Sequence, residues 1–172
     1  TTIDVDEAQA YEMTRRKARS LVAMACQIGA ATATDEPVIL DAVAQFGEYI
    51  GIVAQLVNDL VGVASDARRR GSDIRRRKKT LPVAFLLRCA REECLPDIVE
   101  SYERSDSLDA RIEQRLAEQI RDLGALHYTW VVAETHRRAA LDMLNSLSHW
   151  ANQEGIARLR MLIPETGPNP LV

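Results

Sequence analysis

Apolar residues recur at helical spacing along almost the whole chain. Ala10, Met13, Ala18, Leu21, Val22, Ala25 and Ile28 follow the 3.6-residue period. They predict a helix from Asp6 to about Ala31, with Asp4 or Asp6 as its cap and Glu7 in its first turn. Thr32 to Pro37 breaks the pattern, with Asp35 as a cap and Pro37 at the first position of the next helix. From about Val38 to Ala64 the chain is apolar on nearly every side, which predicts a central, buried helix. Arg68 to Lys79 loses the period and reads as a loop. A third helix is predicted over Leu81–Cys94, with Pro82 near its start, and a short one from Pro96 to Arg104. Ser107 is placed to cap a helix reaching about Leu123, Gly124 marks a junction, and a further helix runs to about Leu147. Asn152 to Leu162 adds a turn or two before a Gly/Pro tail. No strand alternation persists and no internal repeat is found, so the expected class is all-α.

The polar residues of the central helix are not scattered. Glu48, Gln55, Asn58, Asp59, Gly62 and Asp66 fall near one line, and Asn58, Gly62 and Asp66 are spaced i, i+4, i+8. That spacing stacks three positions on one face. A hard cation such as Mg²⁺ takes oxygen ligands and keeps several waters. Asn58 and Asp66 supply oxygens, Gly62 leaves room for a water, and Asp59 lies one step round the helix. An acidic residue near a helix C-terminus opposes the helix dipole, and a bound cation would offset that cost. The bland alternative is a solvated acidic end. The loop that follows packs Arg68, Arg69, Arg70, Arg75, Arg76, Arg77, Lys78 and Lys79 into 12 residues. It lacks aromatic residues for stacking bases, which argues against nucleic acid. Bases beside a cation-binding helix suit a diphosphate, because metal and bases share its negative charge.

Composition narrows the setting. The chain has 172 residues, enough for one domain with its own core, and hydrophobic residues make up 47% of it but aromatics only 5%. That balance favours helix packing over a β-sandwich. The formal net charge is −3, so the base excess is local and nucleic acid is not an expected partner. Cys26, Cys89 and Cys94 have no metal-ligand spacing and read as reduced thiols of a cytoplasmic protein. No apolar run reaches the ~18 residues of a spanning helix, and no signal-peptide pattern is present. His127, Tyr128, Trp130 and His136 share one late helix and are expected to serve packing. The chain opens Thr-Thr without Met, which suggests sequence upstream.

Several segments resemble one family. Ala54-Gln55-Leu56-Val57-Asn58-Asp59 resembles the FQxxDD opening of the second aspartate-rich motif of trans-isoprenyl diphosphate synthases. Gly71-Ser72-Asp73-Ile74, followed by Lys78-Lys79-Thr80-Leu81-Pro82, is similar to that family's GxD(I/L)…KKTLP segment, in the same order and with matching gaps. Upstream, Met13 to Leu21 looks like its KTxxL helix. Downstream, Leu123-Gly124-Ala125-Leu126-His127-Tyr128 looks like its LGAxxY junction. The resemblance covers nearly the whole chain and maps it onto the C-terminal half of the family's helical bundle, as a single domain over residues 1–172 without the N-terminal half.

The resemblance implies a Mg²⁺-dependent prenyltransferase that ionises an allylic isoprenyl diphosphate and passes the prenyl group to isopentenyl diphosphate or another acceptor. Carried over by position, Gln55 and Asp59 are catalytic. Lys17, Arg69 and Lys78 hold the diphosphate, and Asn58 and Asp59 hold metal, with Asp66 added to the metal set by the helical spacing above. Small residues such as Ala54, Gly51 and Ala23 would line the prenyl pocket. The chain departs from the family at Asn58 and Gly62, where aspartates are expected, at Ala18 for threonine and at Ala54 for an aromatic. The family's first DDxxD motif is not in this sequence. The Asn58-Asp59 pair also looks like pheromone-modifying isoprenyl transferases and, with Asp66, like a degenerate NDxxSxxxE motif of class I terpene cyclases. A third reading is a catalytically inactive subunit that regulates a partner. The expected assembly is a homodimer or a heteromer with a prenyl synthase subunit.

Overall fold

A computed structural model describes residues 5–64, 73–93, 95–103 and 110–170. The helices are α1 (Glu7–Ala18), α2 (Met24–Ala31), α3 (Pro37–Ala64), α4 (Leu81–Glu92), α5 (Pro96–Glu103), α6 (Ala110–Asp122), α7 (Ala125–Leu147) and α8 (Gln153–Arg160). There is no strand among the described residues, and the all-α expectation holds. Helix starts follow local chemistry. Gln9 N–H donates to Asp6 Oδ1 at 2.7 Å while Asp6 N–H donates to Gln9 Oε1 at 3.3 Å, a reciprocal capping box. Asn152 caps α8 by accepting Gly155 N–H at 2.7 Å. Pro37 and Pro96 are the first residues of α3 and α5, where a missing N–H costs nothing. The expected cap Ser107 lies outside the described residues.

The first helix differs from expectation. Between α1 and α2, Arg19–Ala23 form a π-helical turn in which Met24 N–H donates to Arg19 O, five residues back. The inserted residue slips the buried face, so Ala18 and Ala23, five apart, are both buried. Leu21 and Ile28, which fit the 3.6-residue period, are instead 70% and 61% exposed. A constant period cannot register a one-residue insertion.

The chain forms two compact units. The first comprises Thr1–Glu12, Asn58–Trp130 and Asn169–Val172; the second comprises Met13–Val57 and Val131–Pro168. The core of the first joins Val63, Ile74, Val83, Leu86, Leu87, Ile98, Tyr102, Leu116 and Ile120. The core of the second joins Phe46, Ile50, Ala140, Leu144 and Leu147, with Val22, Cys26 and Ile156 against it.

Within the second unit α3 lies unusually close to the α1–α2 segment. A Cβ on Gly51 would come 2.9 Å from Ala18 Cβ and 3.1 Å from Ala18 Cα; one on Gly47 would come 2.8 Å from Ala23 Cα. Gly51 is therefore filled by a neighbouring helix and is not an open pocket wall, contrary to the sequence expectation. Over Pro37–Val63, α3 is long and apolar enough to cross a membrane by length and composition, with mean hydropathy 1.3. The sequence reading found no such run because Asp41, Glu48 and Asp59 interrupt it. Only 33% of that apolar stretch is buried, so α3 is less enclosed than its apolar sequence predicts; Phe46, Ile52, Val53 and Leu56 are at most 1% exposed, whereas Val38 and Val61 are exposed.

Candidate functional site

In the first unit the C-terminal end of α3 carries Asn58 and Asp59. Consecutive helical residues are turned by about 100°. Asn58 accordingly faces outward, while Asp59 is buried, 4% exposed. Gly62 follows Asn58 by one turn. The space beside it does not hold a water, as the sequence suggested, but the carboxylate of Asp73. A Cβ at residue 62 would come within 2.7 Å of Asp73 Cγ and closer still to Oδ2.

Asp73 opens a tight turn that carries the described part of the basic loop. Its N–H donates to Gly62 O at 3.1 Å, which fastens the turn to α3. Its carbonyl accepts Lys78 N–H at 3.0 Å, and Arg77 N–H donates to Ile74 O at 2.9 Å. Arg77 takes φ 49°, a left-handed conformation uncommon for any residue with a Cβ. Ile74, 1% exposed, pins the turn into the core. Lys78 Nζ lies 2.6 Å from Asp73 Oδ1. Two further helices hold the same turn. Tyr102 on α5 donates its hydroxyl to Lys78 O at 2.8 Å, and Arg75 Nε donates to Glu113 Oε2 on α6 at 3.1 Å. Burial, reinforced by the charge of Asp73, pushes the Tyr102 phenol far above its usual range, so it stays a donor.

In the second unit Lys17 is exposed in the last turn of α1, directly before the π turn, and its carbonyl accepts the Ser20 hydroxyl at 3.2 Å. Gln55 is half-buried on α3. Glu48, expected on the cation-facing stripe, is the partner of two arginines: Arg19 Nε lies 3.4 Å and Arg15 Nη1 4.0 Å from its carboxylate.

Of the residues singled out from sequence, Asn58 and Asp59 share one helix end, and Lys78 is joined to that helix through Asp73. Asp66 and Arg69 lie outside the described residues. Tyr102 and Glu113 have no role in the sequence expectations, and Asp73 enters them only through the Gly71-Ser72-Asp73-Ile74 segment, not as the partner of Gly62 and Lys78. The signal for Glu113 was present: it falls with Leu116 and Ile120 on the apolar face of α6, where a carboxylate is out of place. Oxygen donors at Asn58 and Asp59 suit a hard cation. Among the described residues, however, no three acidic, histidine or cysteine side chains are grouped to hold a metal ion, so these alone do not make a complete cation site.

Comparison with known proteins agrees with the layout. The sequence model of the polyprenyl synthetase family matches residues 1–120. The chain is 30% identical over 161 residues to geranylgeranyl diphosphate synthase of Sulfolobus acidocaldarius, covering 90% of this chain and 48% of that protein. It is 25% identical over 153 residues to heptaprenyl diphosphate synthase component 2 of Bacillus subtilis, covering 87% of this chain and 42% of that protein. The fold superposes on geranylgeranyl pyrophosphate synthase from Corynebacterium glutamicum, solved with isoprenyl diphosphate and magnesium. The TM-score is 0.81 at 25% identity, over 95% of this chain and 47% of that one. The chain thus spans about half the length of the relatives it matches. A basic turn fastened to the acidic end of an apolar helix, the motif order along the chain and the family match over residues 1–120 lead to one conclusion: the chain belongs to the polyprenyl synthetase family.

Proposed function

We propose that this chain supplies the diphosphate-holding part of a Mg²⁺-dependent prenyltransferase. The whole protein would take an allylic isoprenyl diphosphate and transfer its prenyl group to isopentenyl diphosphate or another acceptor. The observation that carries this reading is the fastening of the Lys78 turn to α3 through Asp73 and Gly62. It keeps a lysine on a backbone tied to the helix that bears Asn58 and Asp59.

In the reaction the allylic C–O bond breaks and its electron pair leaves with the diphosphate. An acceptor π bond then attacks the allylic cation, and a proton is lost. Lys78, Lys17 and Arg69 would take up the negative charge of the departing group, which lowers the barrier most where water is excluded. Gln55 would present a polar group near the reacting carbon. Asn58, Asp59 and Asp66 would hold Mg²⁺, which neutralises phosphate charge when bound. As a single domain over residues 1–172, the chain would work with the family's other half, in a homodimer or a heteromer with a prenyl synthase subunit. Free thiols at Cys26 and Cys89 support a reducing, cytoplasmic setting.

A second reading has its own support. Gly62 stands where the family carries an aspartate, and its space is taken by Asp73; one relative is named as a component of a synthase. A non-catalytic subunit that modulates a partner fits both. Product analysis of the full-length protein with Mg²⁺, isopentenyl diphosphate and dimethylallyl, geranyl or farnesyl diphosphate separates the two. The enzyme reading expects prenyl products that vanish in Asp59→Ala. No product from the unmodified protein, and product only with an added synthase subunit, would establish the second.

A further inference from the structure

We infer that Glu113 on α6 and Tyr102 on α5 are positioning residues that set the backbone of the Asp73–Lys78 turn, and so the point from which Lys78 meets a diphosphate; this rests on the diphosphate reading of Lys78. Glu113 is 1% exposed, a carboxylate one turn before the core residue Leu116, on the helix face that also carries Ile120. Burying a carboxylate there costs stability unless it is paired and hydrogen-bonded. Its partner, Arg75 Nε at 3.1 Å, comes from the basic turn 38 residues away in sequence, and Arg75 itself stays half-exposed. A pair whose only purpose was stability would be replaced by apolar side chains at little loss. This one instead joins the base-bearing turn to the most deeply buried part of α6.

Tyr102 acts at the other end of the same turn. It is 5% exposed, and its hydroxyl reaches the carbonyl of Lys78 itself at 2.8 Å. With Asp73 N–H on Gly62 O, the turn is held from α3, α5 and α6 at residues 73, 75 and 78. Three attachments over six residues restrain the turn, which includes the left-handed Arg77. A lysine on such a turn loses little backbone entropy when an anion binds.

The test compares Glu113→Ala, Glu113→Gln and Tyr102→Phe with Leu116→Ala, which loosens the same face of α6 and the core it shares with Ile74 but removes no hydrogen bond or ion pair to the turn. Two quantities are read: affinity for pyrophosphate with Mg²⁺ by calorimetry, and hydrogen exchange at the Asp73 and Lys78 amides. Glu113→Ala is expected to weaken binding about tenfold and to speed exchange at those amides by a similar factor, as loss of a buried anchor should. Glu113→Gln keeps an oxygen for Arg75 and recovers most of both. Tyr102→Phe, which removes one hydroxyl and carries the test if Glu113→Ala does not fold, gives a smaller change in the same direction. Leu116→Ala lowers the melting temperature but leaves affinity and turn exchange near those of the unmodified chain. If the Glu113 and Tyr102 variants match Leu116→Ala in both readouts, the inference fails. If the unmodified chain does not bind pyrophosphate, the diphosphate reading falls, and exchange at the turn decides the positioning role alone.

Discussion

Gly51 and Gly62 lie on one apolar helix, and each leaves a gap that something else fills; what fills it differs. At Gly51 the neighbour is backbone and a methyl group of α1, so the missing side chain serves helix packing. At Gly62 the neighbour is the Asp73 carboxylate, which also binds Lys78. The same sequence signal, a glycine inside an apolar helix, therefore means close packing in one unit and charge placement in the other. The first cannot yield without moving a helix. The second can yield by swinging one short side chain, at the expense of the lysine it holds.

Substituting the two glycines should separate stability from binding. Gly51→Ala is expected to destabilise the chain by about 2 kcal/mol, because overpacking against backbone outweighs the better helix propensity of alanine. Its affinity for pyrophosphate with Mg²⁺ should stay unchanged in the folded fraction; denaturant melts and calorimetry check both. Gly62→Ala should behave in the opposite way. Helix propensity returns about 1 kcal/mol, so the melting temperature barely moves, while displacement of Asp73 from Lys78 weakens pyrophosphate binding roughly fivefold. A large stability loss at Gly62 with intact binding would erase the distinction between the two positions.

Acid sharpens the contrast on the packing side. In the second unit Glu134 accepts bonds from Arg137 and Arg138 on α7 and from Thr166 Oγ1 at 3.0 Å. Chiefly through Arg137, and against the opposing effect of burial, its carboxyl is held down to about 2 from an ordinary 4.5. A depressed carboxyl contributes stability above its unfolded pKa and loses it as pH falls through the folded one. The melting temperature should therefore drop between about pH 4.5 and pH 2, and Glu134→Gln should remove that component of the drop. The smallest effect is expected at Glu48. Its partners Arg15 and Arg19 have side chains 40% and 64% exposed. Glu48→Ala should cost less than about 1 kcal/mol in a denaturant melt, as exposed pairs do.

The fold was readable from periodicity because α3 and α7 are long, α1 and α8 carry side-chain caps, and prolines or a glycine mark other boundaries. Asp6, Pro37, Pro96, Gly124 and Asn152 each mark a boundary where expected. The π turn escaped because an inserted residue leaves composition unchanged and alters only register. The candidate site was half visible. Asn58, Asp59 and Lys78 stood out by residue type and motif. Asp73, Tyr102 and Glu113 act through contacts 11 to 38 residues away along the chain, from Gly62 to Asp73, Lys78 to Tyr102 and Arg75 to Glu113. No local pattern reports such pairs, apart from the misplaced charge on the apolar face of α6. Gly62 shows the cost of reading spacing alone: the position implied a water, and the fold put a carboxylate there.

On the proposed function, the turn bearing Lys78 holds a diphosphate. Titration calorimetry of pyrophosphate with saturating Mg²⁺ into the unmodified chain and into Lys78→Ala tests it most directly. Saturable binding is expected, weakened at least about tenfold in the folded fraction of the variant, which should also melt at a lower temperature without ligand because the buried Asp73 carboxylate loses its lysine. Equal affinity in both proteins, or no saturable binding in either, would contradict it.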